Sequence, residues 1–304
     1  MGHEMTTILL LGCNGQLGYE LQRSLSGLGR VIARDFPEID FLQPDALRTL
    51  VRDVHPDVIV NAAAYTAVDK AESDEAKARL INAEAPSVLT EEAAALGAIF
   101  VHYSTDYVFD GTKSGAYVET DPTNPMSIYG RTKFDGELAA AKAGRYLIFR
   151  TSWVVGAHGA NFIKTMLRLA GEREALRVVA DQFGAPTSAK LLAETTATVL
   201  AQMADAAPEN SRWGLYHLTA GGVTSWNGLA RRVIARATAQ GLPLKTTAEA
   251  VAEIATADYP TPAKRPANSR LDTGKLRTTF GLDLPDWTIG VDDVLDRIVK
   301  EMRT

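Results

Sequence analysis

A chain of 304 residues with 46% hydrophobic and 23% charged side chains is long enough for one large domain or two unequal ones. It has neither the composition of a disordered protein nor that of a fibrous one. A net charge of -5 supplies no basic field for a phosphate polymer, which excludes nucleic acid as the leading partner and leaves an anionic small ligand to be met by local cations. The single cysteine, Cys13, allows no internal disulfide, no run approaches the ~18 apolar residues of a membrane span, and residues 1–5 lack the stretches of a signal peptide, so the expected location is the cytoplasm with no membrane partner.

Short β-branched or aliphatic runs alternate with longer helical patterns. Residues 6–12, 30–35, 57–64, 99–105, 146–154 and 176–181 read as six strands, and residues 15–28, 45–54, 83–96, 127–143 and 161–170 as helices between them. Continuous runs such as Val58-Ile59-Val60 and Ile99-Phe100-Val101 suit strands buried on both faces. The pattern predicts an α/β fold with a Rossmann-type doubly wound parallel sheet. Past residue 155 the alternation loosens, with turns at Ala185-Pro186 and Gly221-Gly222 and a proline-rich stretch over 259–266. The expected division is a dinucleotide-binding domain over 1–155, with 176–205 packing back on the sheet. The remainder of 156–304 forms a smaller, interleaved substrate lobe.

Directly after the first strand, Gly12-Cys13-Asn14-Gly15-Gln16-Leu17-Gly18 gives a G-x-x-G-x-x-G spacing that opens a helix. Glycines there permit a tight turn and a close approach of backbone to a pyrophosphate at the helix N-terminus. Cys13 reads as a small filler rather than a nucleophile. At the end of the second strand stand Arg34 and Asp35, whose chemistries pull in opposite directions. An acid hydrogen-bonds the ribose 2′-hydroxyl of NADH and an arginine accepts the 2′-phosphate of NADPH, so both cofactors stay open.

Tyr129 and Lys133 form Y-x-x-x-K on one helix face. With 9 tyrosines and 11 lysines in 304 residues that spacing arises by chance about 0.3 times, so its weight comes from its place one helix after the fourth strand, which ends in Ser104-Thr105-Asp106. Reduction of a carbonyl adds hydride to carbon and leaves negative charge on oxygen, which calls for a positioned proton donor. Tyr129 is the candidate donor and Thr105 the hydroxyl that steadies the oxygen. Sharing a phenol proton near neutrality asks for a shift of ~3 pH units, roughly 4 kcal/mol, which the Lys133 ammonium is expected to supply while also anchoring the cofactor ribose. His217, within Leu215-Tyr216-His217-Leu218, reads as a core strand residue rather than a base.

These blocks resemble the extended short-chain dehydrogenases and, within them, the dTDP-4-dehydrorhamnose reductases. The likeness rests on Gly12 to Gly18, Asn61 to Glu72, His102 to Phe109, Tyr129 to Lys133, Phe149 to Trp153, Asp181 to Thr187 and Arg265 to Asp272. The resemblance implies that Thr105, Tyr129 and Lys133 are the catalytic trio and that dTDP-4-dehydro-β-L-rhamnose is reduced at C4 with NADPH or NADH. It further implies that Gly15, Gln16 and Leu17 meet the pyrophosphate, and Asp35, Asp40 and Phe41 the adenosine end. Ala64, Tyr65, Thr66 and Tyr103 would meet the middle and nicotinamide parts, and Thr105, Asp106 and Trp153 the sugar nucleotide. By its own chemistry Trp153 can stack on a sugar or base, and Arg265 can neutralise a diphosphate unless internal salt bridges use it. Reductases of other dTDP-4-ketosugars and the dinucleotide-binding regulatory subunit of methionine adenosyltransferase share the fold and stand as alternatives. Some relatives form homodimers through Mg²⁺ held by surface glutamates. Here Glu20 is retained, but Lys190 stands where a second carboxylate is expected, which counts against a metal bridge.

Overall fold

Leu9, Leu10 and Leu11 are all fully buried, which is the mark of a strand covered on both faces. A computed structural model describes residues 6–303; the reading of residues 1–5 falls outside the described residues. Strands β1 (Thr7–Leu11), β2 (Arg30–Arg34), β3 (Val58–Asn61), β4 (Ile99–Thr105) and β5 (Tyr146–Thr151), with the edge strand Gly214–His217, form a six-stranded sheet. Every pairing is parallel, in the order Gly214–His217, β5, β4, β3, β1, β2. The order reverses between β1 and β3, and open α/β sheets bind ligands beyond the strand C-termini at such a reversal.

Alternation along the strands sends side chains to two cores. One face is covered by α1 (Gln16–Leu25), the helix Ala189–Met203 and the short helix Gly274–Phe280, through Leu21, Leu25, Leu192, Val199 and Leu276. The opposite face is covered by α2 (Pro44–Val54), Ala85–Leu96 and Ile128–Ala140, through Leu47, Val51, Leu89 and Ala140. A third core lies off the sheet, where the helices Phe162–Glu172, Trp226–Ala239 and Trp287–Arg303 pack around Leu167, Val233 and Leu295.

One expected strand changes place. Residues 176–181 form Leu176–Val179, which pairs in parallel with Val251–Ile254 outside the main sheet, and the sixth sheet strand is Gly214–His217 beside β5. Both runs are short and apolar enough to be strands. The choice between them is made by the third core, where Leu176 and Val178 are buried.

Candidate active site

The cofactor turn is built by steric necessity. Gly12 has a φ of +81°, and a Cβ there would stand 2.5 Å from the Ala63 nitrogen, while a Cβ on Gly18 would stand 2.0 Å from the Gly12 oxygen. The turn therefore presses on the chain leaving β3, at the reversal of strand order. Gly15 begins α1 without a side-chain cap, so the first-turn N–H groups are left for an anion, and these residues fit a dinucleotide pyrophosphate. Asp35 is engaged with the turn: its two oxygens accept from the Asn14 and Phe36 N–H groups, each at 2.8 Å. Arg34 donates to the Ala33 carbonyl (2.8 Å) through one arm of its guanidinium.

The remaining cofactor candidates fall in several places. Asp40 caps the turn before α2, accepting from Leu42 N–H (2.9 Å). Phe41 is buried in the core with Leu9 and Leu47. Ala64 is half-buried and Thr66 exposed, and between them Tyr65 is held by its N–H on Asn82 (2.8 Å). Leu17 is partly buried against the core under α1. Tyr103 turns its ring into that same core, where its hydroxyl pairs with Thr196 (2.7 Å). What Tyr103 presents to the site is its carbonyl. Sequence reasoning missed two residues at the turn. His158 places Nε2 3.0 Å from the Asn14 carbonyl and stacks on Tyr19, and Asn161 donates to the Gln16 side chain (2.9 Å). Both come from beyond β5, and no local pattern signals a contact over that separation.

Tyr129 and Lys133 lie on Ile128–Ala140, whose entry is fixed by the Ser127 hydroxyl accepting from Gly130 N–H (3.1 Å). A Cβ on Gly130 would stand 2.3 Å from the Tyr107 carbonyl, so glycine lets this helix approach the end of β4. There Tyr129 comes up beside Thr105, whose side chain pulls the pKa of its phenol down. The Thr105 hydroxyl donates to Asp106 (3.1 Å) and accepts from Tyr107 N–H (3.2 Å). Lys133 is 2% exposed and its ammonium donates to the Tyr103 carbonyl (2.6 Å).

Burial sets the electrostatics and corrects one expectation. Tyr129 is not drawn toward neutrality by Lys133; desolvation pushes it up to about 12, against the opposing pull of Thr105. Desolvation likewise brings Lys133 down to about 8, with Glu137 holding it up. Asp106 is raised by burial to about 6, opposed by hydrogen bonds from Ser269 and Thr105.

On the substrate side Trp153 adopts φ 48°, a left-handed conformation that costs a non-glycine residue about 1–3 kcal/mol. It stacks on Trp226 at 3.7 Å between ring centres, and a Cβ on Gly184 would stand 2.9 Å from its ring. Beyond Trp226 lies a cavity of about 650 Å³ whose lining includes Phe162, Gln182, Tyr259 and Arg265. Arg265 is gripped by both Asp69 oxygens, at 3.0 and 2.7 Å, so it reaches the cavity already paired. His217 is fully buried in the edge strand and pushed down to about 3 by desolvation, a neutral core residue. Burial and the Asp35 charge raise the Cys13 thiol, the opposite of activation. Glu20 is bound by Arg297 (2.7 Å), and Lys190 faces Asp293 at 3.7 Å. Among the described residues no group of three or more His, Cys, Asp or Glu side chains is arranged to hold a metal ion.

A doubly wound sheet with a glycine turn at its switch point, and a half-buried Tyr129 beside a buried Lys133 one helix past the fourth strand, define a nicotinamide-dependent oxidoreductase of the short-chain dehydrogenase type. Residues 5–300 match the model of the RmlD substrate binding domain, and the chain belongs to that family. It is 51% identical to a dTDP-4-dehydrorhamnose reductase of Burkholderia thailandensis over 93% of this chain and 96% of that protein. It is 48% identical to a dTDP-4-dehydrorhamnose reductase of Escherichia coli over 96% of this chain and 97% of that protein. The crystal structure of dTDP-4-dehydrorhamnose reductase from Bacillus anthracis in complex with NADP superposes with a TM-score of 0.85 at 32% identity, covering 96% of this chain and 99% of that one.

Proposed function

We propose that the chain reduces the C4 ketone of dTDP-4-dehydro-β-L-rhamnose to the alcohol of dTDP-L-rhamnose with NADPH or NADH, the last step of making that activated sugar. The observation that carries this is the meeting of half-buried Tyr129 with buried Thr105 at the sheet edge, with Lys133 one helical turn away and the glycine turn at the adjacent strand reversal. Gly12, Gly15, Gln16, Leu17 and Gly18 seat the pyrophosphate. Arg34 and Asp35 meet the adenosine ribose, and because both Asp35 oxygens already accept backbone N–H groups, Arg34 has more to offer a 2′-phosphate. The family likeness supports the further placing of Asp40, Phe41, Ala64, Tyr65, Thr66 and Tyr103 along the cofactor.

The bound reduced nicotinamide supplies a hydride to carbon 4. Tyr129 gives its proton to the carbonyl oxygen, and because burial holds it up at about 12 it is fully protonated, and so armed as an acid, at any working pH. The same shift makes the tyrosinate left behind about 3 kcal/mol harder to form than in water. Lys133, on the same helix face, anchors the cofactor ribose, and Thr105 keeps the phenol aimed. Trp153 with Trp226 forms the wall against the sugar nucleotide, Asp106 meets sugar hydroxyls, and Arg265 stands beside the diphosphate.

No helix among the described residues is long and apolar enough to cross a membrane. We place the chain in the cytoplasm, where nucleotide sugars and reduced nicotinamide are supplied. In this reading a homodimer forms without a metal bridge, because Glu20 is used by Arg297. The decisive experiment supplies dTDP-4-dehydrorhamnose with NADPH or NADH and follows the absorbance of the reduced nicotinamide. Consumption with either cofactor, yielding dTDP-L-rhamnose, is expected; no consumption with both would remove the reading.

A further inference from the structure

Below the Tyr–Lys pair the same helix carries a second buried charge that the reaction as described does not use. Glu137, one turn after Lys133 and 4% exposed, accepts from the Ser104 hydroxyl (2.7 Å) and from Arg150 Nε (3.0 Å), and pairs a second time with the Arg150 guanidinium. Ser104 is on β4 and Arg150 on β5, so two neighbouring strands fix the carboxylate from below. Lys133 itself has a carbonyl, not a carboxylate, as its hydrogen-bond acceptor.

We propose that Glu137 is a positioning residue for the reaction: held by Ser104 and Arg150, its carboxylate is the counter-charge that keeps the buried Lys133 an ammonium. The titratable and charged groups packed around this part of the helix are Tyr129 and Glu137 on the helix itself, His102 and Tyr103 on β4, Arg150 on β5, and Asp106 and Tyr107 in the turn after β4. His102 is fully buried and kept neutral by desolvation and by the Lys133 charge. Arg150 repels an ammonium, and the tyrosines carry no charge while protonated. Glu137 is the group whose field opposes the effect of burial on Lys133. Ser104 and Arg150 supply what a buried carboxylate needs to remain ionised without closing directly on the lysine, which leaves the ammonium turned toward the Tyr103 carbonyl and the site.

This inference rests on the role given to Lys133 above, and the test separates the two. In protein carrying ¹³C-labelled lysine, the Cε signal of Lys133, assigned by its loss in Lys133→Met, titrates with a midpoint of about 8. Glu137→Gln is expected to lower that midpoint by about 1 to 2 pH units, the loss of a buried unit charge one helical turn away at an effective dielectric of about 20. Glu137→Asp, which keeps the charge, retains the original midpoint. The alkaline limb of turnover moves down together with the Glu137→Gln midpoint. Should Glu137→Gln fail to fold for want of a partner to Arg150, the double variant Glu137→Gln with Arg150→Met removes both buried charges and is expected to show a smaller fall than the single variant, because the repulsion by Arg150 is lost with the attraction by Glu137. An unchanged midpoint in a folded variant overturns the proposal. A midpoint that falls while the limb of turnover stays fixed overturns the link to the reaction.

Discussion

Replacing Tyr129 by phenylalanine removes one oxygen and leaves nearly everything around it in place. The ring keeps its edge contact with Tyr107, whose centre lies 5.4 Å away at 82°. Thr105, deprived of the phenol, still has Asp106 at 3.1 Å and the Tyr107 N–H at 3.2 Å, so no buried group is orphaned and the stability change stays within about 1 kcal/mol. The proton donor, by contrast, is gone. A positioned general acid contributes about 100- to 10,000-fold, or roughly 2.7 to 5.5 kcal/mol of barrier, and kcat and kcat/KM are expected to fall together by that amount. The assay is nicotinamide oxidation with dTDP-4-dehydrorhamnose, run beside a thermal melt and a fluorescence titration of the cofactor, both of which should match the parent. A loss of less than about tenfold in a normally folded variant would refute Tyr129 as the acid.

Arg34→Ala is expected to weaken NADPH about tenfold or more, the loss of one charge-assisted contact, with little change for NADH; equal losses in fluorescence titrations would show that Arg34 does not meet the 2′-phosphate. Trp153→Ala should raise KM for the sugar nucleotide about tenfold with a smaller change in kcat, because the stacked wall with Trp226 is lost; an unchanged KM would remove Trp153 from the site. Turnover should decline as pH rises through about 8, where Lys133 loses its proton, and a profile flat to pH 10 would contradict the need for an ammonium. Asp106 titrates in the folded chain at about 6 against a usual 3.8, so the folded state holds the proton longer than the unfolded one, and the stability this gives is lost as pH rises from about 4 through 6. Asp106→Asn should therefore raise the melting temperature at pH 7.5 by more than at pH 4, with an upper limit of about 3 kcal/mol; an equal shift at both pH values would contradict a strained buried carboxylate.

The sheet was legible because strands buried on both faces leave continuous apolar runs, as Ile99 to Val101 does, and because the glycines of the turn obey a steric rule that local sequence states outright. The edge strand was legible only in part: His217 reads as a core strand residue and is one, but its place beside β5 is set by the finished sheet. The meeting of Thr105 with Tyr129 followed from chain order, since a helix after the fourth strand must return across its C-terminal end. The charge balance did not follow, because desolvation depends on how deeply tertiary packing sinks each group, and spacing alone made Lys133 look like the dominant influence on Tyr129. Arg265 shows the same limit. Its partner Asp69 lies 196 residues earlier, and no local pattern ties the two.

Some of the costs carried by this structure fall at the C-terminal edge of β4 and β5. Trp153 is held at φ 48°, and the Thr151 and Ser152 hydroxyls immediately before it are buried without hydrogen-bond partners. Across the sheet Thr151 is the register partner of Thr105, beside Asp106, whose Oδ2 also lacks a partner of ordinary length. Each such buried group costs about 1–3 kcal/mol, and the strained tryptophan a similar amount. At the C-terminal edge of β4 and β5 these three groups form a row beside the strained Trp153, on the side where the sugar nucleotide is proposed to bind. A sugar nucleotide that satisfies the row adds binding free energy that the chain alone forgoes, so the ligand must stabilise the folded state in proportion to how well it fits there.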